Sequence, residues 1–347
     1  MAGRSRKPPR ENDLTRRLLD GDEENDALQS SQKFNQRAKH AEQNKIEKTS
    51  LLRADGQQAA DIERLPVGEV AQVYSQFCEV DHPTGPRICV TRKTLGKLRE
   101  TSIVVGDRVR FLDSDTRDDA GRIEAVIEQI LPRETILTRV DSFRGTEEHP
   151  IVANAQQMLI VVSLLRPRVK WGLVDRMIIA AQGGGLVPLV CLNKIELAEE
   201  PLGKTGEVLD HYQSMGIRTF RLSALDTAGA GVEQVKNALK DKTTVLAGHS
   251  GVGKSTLIAA IEPGLDIRVA EVSVHNDKGR HTTTSARRYP LSMGGYVIDT
   301  PGVKSFALHG VTPQTLGEFF PDVEAGTAPS WRVESFRRIE ESLKGRA

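Results

Sequence analysis

The segment GHSGVGKST, from Gly248 to Thr256, decides how the rest of this chain is interpreted. It matches the pattern G-x-x-x-x-G-K-[ST]. The apolar, strand-like run TTVLAG precedes it, and the helix-like run KSTLIAAIE follows it. In a P-loop, this succession of strand, loop and helix brings backbone N–H groups and the positive helix N-terminus together on phosphate groups. The sequence therefore predicts a nucleotide-binding loop.

Individual positions of the predicted P-loop have different expected roles. Lys254 is expected to reach the β- and γ-phosphates, which also makes it a catalytic candidate, and the Ser255 hydroxyl is expected to ligate Mg²⁺. His249 is expected to lie beside the phosphates rather than to take part in chemistry. The predicted nucleotide-binding residues of the loop are Gly248, His249, Ser250, Gly251, Val252, Gly253, Lys254, Ser255 and Thr256.

Two segments that follow the P-loop match the parts of such a site that sense the γ-phosphate. In DTPG, after the strand-like run GYVID, Asp299 is predicted to hold Mg²⁺ through water and the Gly302 N–H to meet the γ-phosphate. The alternative is a simple Pro-Gly turn. In GRHTTTSARR, residues 279–288, we choose Thr283 among three threonines as a Mg²⁺ ligand and His281 as the group that orients the attacking water. The alternatives are a Thr-rich edge strand and a solvent-exposed loop histidine.

Base recognition is predicted for two segments that precede the P-loop. NKIE ends the run LVPLVCLN, and the Glu196 carboxylate can accept the two N–H donors that guanine, unlike adenine, presents side by side. Asp is the usual acid at this position, so Glu196 weakens the expected preference for guanine without excluding it. SAL follows the strand-like run TFRL and is expected to support the base through backbone N–H groups. The predicted base-reading residues are Asn193, Lys194, Glu196, Ser223 and Ala224.

The order of these motifs along the chain is unusual. In most GTPases the P-loop comes first and is followed by the switch threonine, DxxG, NKxD and SA, whereas here the last two come first. Each motif still follows a predicted strand. The active-site edge of a sheet is built in space, so joining the old termini and opening the chain elsewhere preserves it. The sequence therefore predicts a circularly permuted P-loop GTPase domain.

The N-terminal part of the chain divides into two regions. Residues 1–65 are rich in charge and poor in β-branched and aromatic residues, which predicts a flexible tail. Residues 66–140 contain short alternating runs separated by turn-forming residues, which predicts a small closed β-barrel of the OB-fold type. Four cations between two of its strands are predicted to bind an RNA backbone, with a solvated loop as the alternative: Arg92, Lys93, Lys97 and Arg99.

The C-terminal part has the pattern of an α/β protein. In residues 141–310, continuously apolar runs alternate with helical patterns, which predicts a doubly wound, mostly parallel sheet. Residues 311–347 are expected to form a C-terminal helical segment, with helices over 312–320 and 331–345. No cysteine follows Cys191, so no zinc motif is present in this segment.

Composition limits the remaining function classes. The 347 residues include 48 Lys and Arg against 47 Asp and Glu, so nucleic-acid binding has to come from local patches. No apolar run is long enough to span a bilayer. We therefore expect a cytoplasmic protein that has no membrane partner, and we expect it to be a monomer. The three cysteines are widely spaced, which favours reduced core thiols over a metal cluster.

The ordered motifs resemble the circularly permuted GTPases of the ribosome small-subunit-dependent GTPase A family. The likeness runs from about Val67 to Phe320 through LTR (Leu137 to Arg139), LNKIE, SAL, GHSGVGKST, GRHTTT and DTPGV. It implies an OB domain that binds ribosomal RNA, GTP and Mg²⁺ at the permuted domain, and a role in late maturation of the small ribosomal subunit, with GTP hydrolysis stimulated by that subunit. The family usually adds a zinc-binding domain with Cys and His ligands. Here only PDVEAGTAPS separates Phe320 from Trp331, so zinc is not expected.

Other activities remain open on the sequence. Val303 stands where a Ras-like enzyme has a water-orienting Gln and cannot hydrogen-bond, so slow intrinsic hydrolysis is expected. A GTP-sensing RNA-binding module with negligible turnover is therefore an alternative to a GTPase. An ATP-using P-loop kinase or ATPase is a third possibility, against which NKIE and SAL argue.

Overall fold

The computed structural model describes residues 62–91, 102–140, 148–198, 202–265, 286–300 and 306–345. All of these belong to one unit of the chain, Ala59–Ala347. The tail predicted for residues 1–65 lies almost wholly outside the described residues. Several predicted site residues lie outside them as well, namely Arg92, Lys93, Lys97, Arg99, His281, Thr283 and Gly302.

Five strands close into a barrel in the first part of the described chain. They are β1 (Val67–Val73), β2 (Cys78–Asp81), β3 (Arg87–Thr91), β4 (Arg108–Arg117) and β5 (Ile123–Ile130). Their order is β1-β2-β3-β5-β4, and β4 pairs again with β1. The side chains of Val70, Val80, Cys89, Phe111 and Ile127 are buried in its interior. The barrel confirms the predicted OB-like architecture, because the alternating runs place every second side chain inside.

A separate hairpin follows the barrel. Strand β6 (Ile136–Val140) pairs with β7 (Glu148–Ala153) in a two-stranded sheet. Leu137 and Val152 are buried in the core of the α/β part, and the Ile136 N–H donates to the Gly184 carbonyl at 2.9 Å. The barrel domain predicted for residues 66–140 therefore includes a strand that the structure packs against the α/β part, because its apolar side chains are buried there.

The α/β part is built on a six-stranded sheet. Its strands are β8 (Gln157–Ser163), β9 (Val187–Asn193), β10 (Arg218–Arg221), β11 (Thr243–Ala247), β12 (Arg287–Pro290) and β13 (Tyr296–Asp299). The spatial order is β10-β9-β8-β11-β13-β12, with β12 antiparallel and the other five parallel. Of these six strands, β8, β9 and β10 thus come first in the chain and form one side of the sheet, and β11 then pairs with β8 at its centre.

Helices cover both faces of this sheet. One face carries α1 (Trp171–Gly183) and α2 (Gly203–Ser214), and the other carries α3 (Ala230–Leu239) and α4 (Lys254–Ile261). Along β8, Met158 and Ile160 belong to the first core, while Leu159 and Val161 belong to the second. Burial on both faces explains why this strand is continuously apolar, and it confirms the doubly wound architecture.

The barrel and the α/β sheet meet at an antiparallel pairing of β1 with β12, where Gln72 lies opposite Arg287. The neighbouring side chain, Arg288, is buried. Its guanidinium donates to Glu69 and, at 3.0 Å, to Asp81 Oδ2 of the barrel. It also lies over the Tyr296 ring, 3.1 Å from the centroid. Hydrogen bonds to charged partners therefore fasten β12 to the barrel.

The C-terminal segment differs in part from the expected pair of helices. The predicted helix over 312–320 is reduced to a 3₁₀ turn, Leu316–Phe319, because Thr312 and Thr315 exchange side-chain and backbone hydrogen bonds that compete with helix formation. A short helix α5 (Pro321–Glu324) follows, and the final helix α6 (Ser330–Lys344) has the predicted extent within one residue.

One buried arginine fixes α6 to the α/β part. Arg332 is 1% exposed and donates to Asp175 Oδ1 on α1, to Asp322 Oδ2 at 3.2 Å and to the Phe319 carbonyl at 3.3 Å. The Tyr212 hydroxyl donates to the same Asp175 oxygen at 2.6 Å. Burial raises the pKa of the Asp175 carboxyl, whereas the Arg332 charge lowers it. The guanidinium is therefore needed to balance two buried carboxylates.

The expectation about the cysteines also finds support. Cys78, Cys89 and Cys191 are buried free thiols, and burial raises the pKa of Cys78 and of Cys191 to about 12. Across the described ranges, no helix is long and apolar enough to cross a membrane.

Replacement of Arg332 by Met is expected to lower the free energy of unfolding by about 3–5 kcal/mol, because it leaves buried carboxylates without their cation. Urea unfolding can be followed by tryptophan fluorescence, since both tryptophans of the chain, Trp171 and Trp331, contact the Tyr212 ring. The matched control is Arg338→Met on the exposed side of α6, with an expected change within about 0.5 kcal/mol. Equal losses in the two variants would refute the role of the buried arginine.

Candidate nucleotide-binding site

The predicted P-loop joins β11 to α4, as the sequence pattern requires. Gly248 and Gly253 have positive φ angles of 140° and 93°, a region that favours glycine. A Cβ atom on Gly248 would lie 2.2 Å from the Val161 carbonyl oxygen, and one on Gly253 would lie 2.4 Å from Asn193 Nδ2. These two glycines are therefore required by close contacts with strands β8 and β9.

The lysine of the P-loop turns back across the loop. Lys254 Nζ donates to the Gly248 carbonyl at 2.8 Å and to the His249 carbonyl at 3.2 Å. Burial lowers the pKa of its amine, and the charge of Asp299 opposes that shift. Ser255 is half-buried in the first turn of α4, with Thr256 exposed beside it. The ammonium is thus held at the mouth of the loop, next to the N-terminus of a helix.

Asp299 lies at the carboxyl end of β13, opposite Leu246 of β11. It is 6% exposed. Burial raises the pKa of its carboxyl, while the Lys254 ammonium and the Thr300 N–H act in the opposite direction. The Thr300 hydroxyl donates to the Leu246 carbonyl at 3.3 Å, which ties the strand end to the base of the P-loop. The structure therefore brings the predicted metal carboxylate and the predicted phosphate lysine together.

Asn193 connects three separate segments of the site. Its side chain is buried, and its Nδ2 donates to the Val252 carbonyl of the P-loop at 2.9 Å. Its Oδ1 accepts from the N–H groups of Lys194, at 2.8 Å, and of Ala224, at 2.9 Å. NKIE, SAL and the P-loop, far apart in the chain, are thus joined through one amide.

The remaining predicted base-reading residues occupy the same edge of the sheet. Lys194 has a left-handed backbone, and its Nζ donates to the Gly251 carbonyl at 2.6 Å. Glu196 is exposed in a short 3₁₀ turn, Ile195–Leu197. The Ser223 hydroxyl accepts from the Leu225 N–H at 3.3 Å. The Glu196 side chain is thus accessible to a ligand, whereas the Lys194 side chain is hydrogen-bonded to the P-loop backbone.

Sequence reasoning missed one segment that borders this site, the turn after β8. Lys194 Nζ donates to the Arg166 carbonyl at 2.7 Å, and the Ser163 hydroxyl donates to the Pro167 carbonyl at 2.6 Å. The turn therefore lies beside the P-loop. A signal was present, because the polar stretch RPR follows an apolar strand and parallel strands end at one common edge.

The site explains the order of the motifs. The P-loop follows β11, Asp299 ends β13, Asn193 ends β9 and Ser223 comes shortly after β10, so all four lie at the carboxyl edge of the parallel strands. Such an edge is where ligands bind in open α/β sheets. Residues 130–309 match the sequence model of the RsgA GTPase family. The chain belongs to the RsgA GTPase family.

Curated relatives and solved structures agree with this assignment. A small ribosomal subunit biogenesis GTPase RsgA of Thermotoga maritima is 35% identical over 257 residues, which are 74% of this chain and 81% of the relative. Its namesake from Shewanella oneidensis is 36% identical over 256 residues, 73% and 69% of the two chains. The crystal structure of YjeQ from Thermotoga maritima has a TM-score of 0.61 at 29% identity and covers 81% of this chain and 99% of its own.

The permuted connectivity also has a structural counterpart. The crystal structure of YloQ, described as a circularly permuted GTPase, has a TM-score of 0.59 and covers 84% of this chain and 99% of its own. At 20% identity this likeness concerns the fold alone. The present RsgA-family protein is accordingly a circularly permuted, GTP-hydrolysing P-loop GTPase.

Metal ions at phosphate sites do not require a cage of protein side chains. Within the part of the chain that the structure describes, no group of three or more His, Cys, Asp or Glu side chains is arranged to hold a metal ion. Mg²⁺ at phosphate sites usually keeps several waters and takes only one or two protein ligands. The two predicted oxygen ligands, Ser255 and Asp299, fit such a site.

Replacement of Gly253 by Ala is expected to lower the affinity for GTP by more than about ten-fold, because the new methyl group collides with the Asn193 amide. The matched control is Gly264→Ala. Gly264 also has a positive φ, 96°, but a Cβ atom there would meet nothing within 4 Å. The control is expected to lose only about 1 kcal/mol of stability through backbone strain and to bind GTP normally. Titration with a fluorescent GTP analogue measures the affinity of each variant. Similar affinities in the two variants would argue against the Asn193 contact.

Proposed function

We propose that this RsgA-family GTPase acts in the biogenesis of the small ribosomal subunit, in its late maturation, and that the subunit stimulates GTP hydrolysis. The observation that carries the proposal is the similarity to relatives named small ribosomal subunit biogenesis GTPase RsgA. The Thermotoga maritima relative matches 74% of this chain. The junction of barrel and GTPase sheet supports it, because Arg288 connects the proposed RNA-binding part to a strand next to the nucleotide site.

The barrel is proposed to bind ribosomal RNA. Its basic segment follows β3, which ends at Thr91, and precedes β4, which begins at Arg108. OB-type barrels commonly combine such basic loops with the strand surface to follow a nucleic-acid backbone. The residues proposed for this contact are Arg92, Lys93, Lys97 and Arg99.

Recognition of GTP is proposed to divide between two groups of residues. Asn193 and Ala224 shape the base pocket through their shared hydrogen bond, and the exposed Glu196 carboxylate accepts the donors of guanine. The P-loop N–H groups and Lys254 take the phosphates. Support for this division comes from the hydrogen bonds that join both groups through Asn193.

Magnesium is the proposed metal, and the chemistry of the donors fits it. The Ser255 hydroxyl and the Asp299 carboxylate are hard oxygen ligands at one edge of the sheet, and Thr283 is proposed to add a third. When bound, Mg²⁺ would neutralise charge on the β- and γ-phosphate oxygens. The burial of Asp299 beside Lys254 keeps the carboxylate in place for this role.

Water attack is proposed to depend on His281. Val303 offers no hydrogen bond where a Gln would orient the nucleophile, and His281 stands next to the switch threonines in the sequence. A positioned proton acceptor contributes about 10²–10⁴-fold to a reaction of this kind. Stimulation then means that the ribosomal particle brings this side chain into position.

Phosphate release from GTP and from ATP, with and without purified small ribosomal subunits, tests the proposal. We expect turnover of GTP alone, at least about ten-fold faster with subunits, and a loss of about 10²-fold or more in His281→Ala. The matched control is His309→Ala. His309 pairs with Glu148, and its replacement is expected to leave GTP turnover unchanged. Absence of stimulation would favour a GTP-sensing module, and equal use of ATP would favour an ATP-hydrolysing enzyme.

The metal assignment has its own test. Asp299→Asn is expected to raise the Mg²⁺ concentration needed for half-maximal GTP turnover by about ten-fold, because the amide is a weaker ligand than the carboxylate. GDP affinity in the presence of a chelator is expected to stay within about two-fold of wild type. Asp241→Asn, before β11 at the opposite edge of the sheet, is the control. An unchanged Mg²⁺ requirement in Asp299→Asn would remove this residue from the metal site.

A further inference from the structure

The turn after β8 carries a concentration of positive charge that the proposed nucleotide chemistry does not use. Its sequence is LLRPRVK, residues 164–170, which we call the basic loop. Arg166, Arg168 and Lys170 are exposed. None of these three side chains makes a hydrogen bond or ion pair with any described residue. The sequence holds no acidic residue between position 163 and Asp175, which is itself buried.

The backbone of the basic loop is held firmly although its cations are unpaired within the described part of the chain. The Leu164 N–H donates to the Asn193 carbonyl at 3.0 Å. The Ser163 hydroxyl and Lys194 Nζ donate to two carbonyls of the turn, those of Pro167 and Arg166. Three hydrogen bonds thus connect the loop to the end of β8 and to NKIE. A rigid backbone that presents free cations loses little conformational entropy on binding.

The chemistry of the loop selects anions that are arranged along a line. Arg166 and Lys170 are four residues apart, so they span at most about 14 Å. Arginine pairs with phosphate through a planar fork and lysine through a compact charge, and such contacts supply most of the affinity for a nucleic-acid backbone. The phosphates of the bound nucleotide already have Lys254 and the N-terminus of α4 as partners. A polyanion from outside the site is the better match.

We propose that the basic loop is an RNA-docking surface of the GTPase domain, which binds backbone phosphates through Arg166, Arg168 and Lys170 and is distinct from the barrel. The inference rests on the proposed ribosomal function for the identity of the RNA, that of the small subunit. The contact would place RNA next to the P-loop, because Lys194 bridges the Arg166 and Gly251 carbonyls.

The test compares two double variants of the full chain. Arg168→Gln with Lys170→Gln removes two of the free cations and leaves Arg166, whose carbonyl holds Lys194. Lys240→Gln with Lys242→Gln removes two exposed cations at the opposite edge of the sheet and is the matched control. The first probe is a labelled 20-nucleotide single-stranded RNA, titrated at several salt concentrations. The second is purified small ribosomal subunits, and a fluorescent GTP analogue reports on the nucleotide site.

The proposal predicts that the loop variant binds the RNA about ten-fold more weakly at 0.1 M salt and that the slope of log affinity against log salt falls by about 1.4, or about 0.7 for each lost phosphate contact. The control is expected to match wild type, and both variants are expected to bind the GTP analogue within about two-fold of wild type. Unchanged RNA affinity and slope would overturn the proposal. So would a loss confined to the GTP analogue, which would assign the loop to the nucleotide.

Two further outcomes separate this proposal from the ribosomal function. Weaker binding to subunits with unchanged binding to free RNA would indicate a protein partner and would overturn RNA docking. Loss of RNA affinity in the loop variant, in a chain whose wild type does not bind subunits, would support RNA docking while contradicting the ribosomal function.

Discussion

The hydrogen bonds of the buried Asn193 amide are the constraint on which the nucleotide site depends. The amide donates to the P-loop at Val252 and accepts from Lys194 and Ala224, so three strand ends are held in one arrangement. A buried amide left without partners is costly, which makes this arrangement strongly preferred over looser ones. The contact depends on where the strands lie and not on the order in which the chain visits them. A permuted chain can therefore keep the site intact.

The second constraint joins the barrel to the site. Strand β12 pairs with β1 of the barrel on one side and with β13, which ends in Asp299, on the other. The Arg288 guanidinium contacts the Tyr296 ring and barrel carboxylates, and a cation buried in this way requires its partners. Arg288 is also the last residue of the segment predicted to sense the γ-phosphate, residues 279–288. One strand, β12, thus separates the barrel from the strand that ends in Asp299, the proposed metal ligand.

The features that the sequence predicted correctly are those with a local signal. The continuously apolar β8 indicates burial on both faces, and the P-loop carries its glycines within six residues. The features it missed depend on partners that the local pattern does not show. Leu137 looks like one more barrel residue until the α/β core buries it, and the 312–320 helix is lost to hydrogen bonds within a turn. Arg332 has the sequence pattern of an ordinary surface arginine. Its neighbours in the sequence do not indicate its partner Asp175, which lies 157 positions away.

The Arg332 cluster also bears on the site, because of where Asp175 lies. Helix α1 begins at Trp171, directly after the basic loop, and Asp175 is in its second turn. The ion pair with α6 therefore fixes the helix into which the loop runs, while NKIE fixes the turn that leaves β8. We infer that this buried ion pair selects one geometry of α1 and α6 more than it adds to net stability. In this protein, that geometry sets the position of the basic loop, whose side chains Arg166, Arg168 and Lys170 are exposed beside the nucleotide site. The C-terminal helix thus helps to position a surface that it does not itself form.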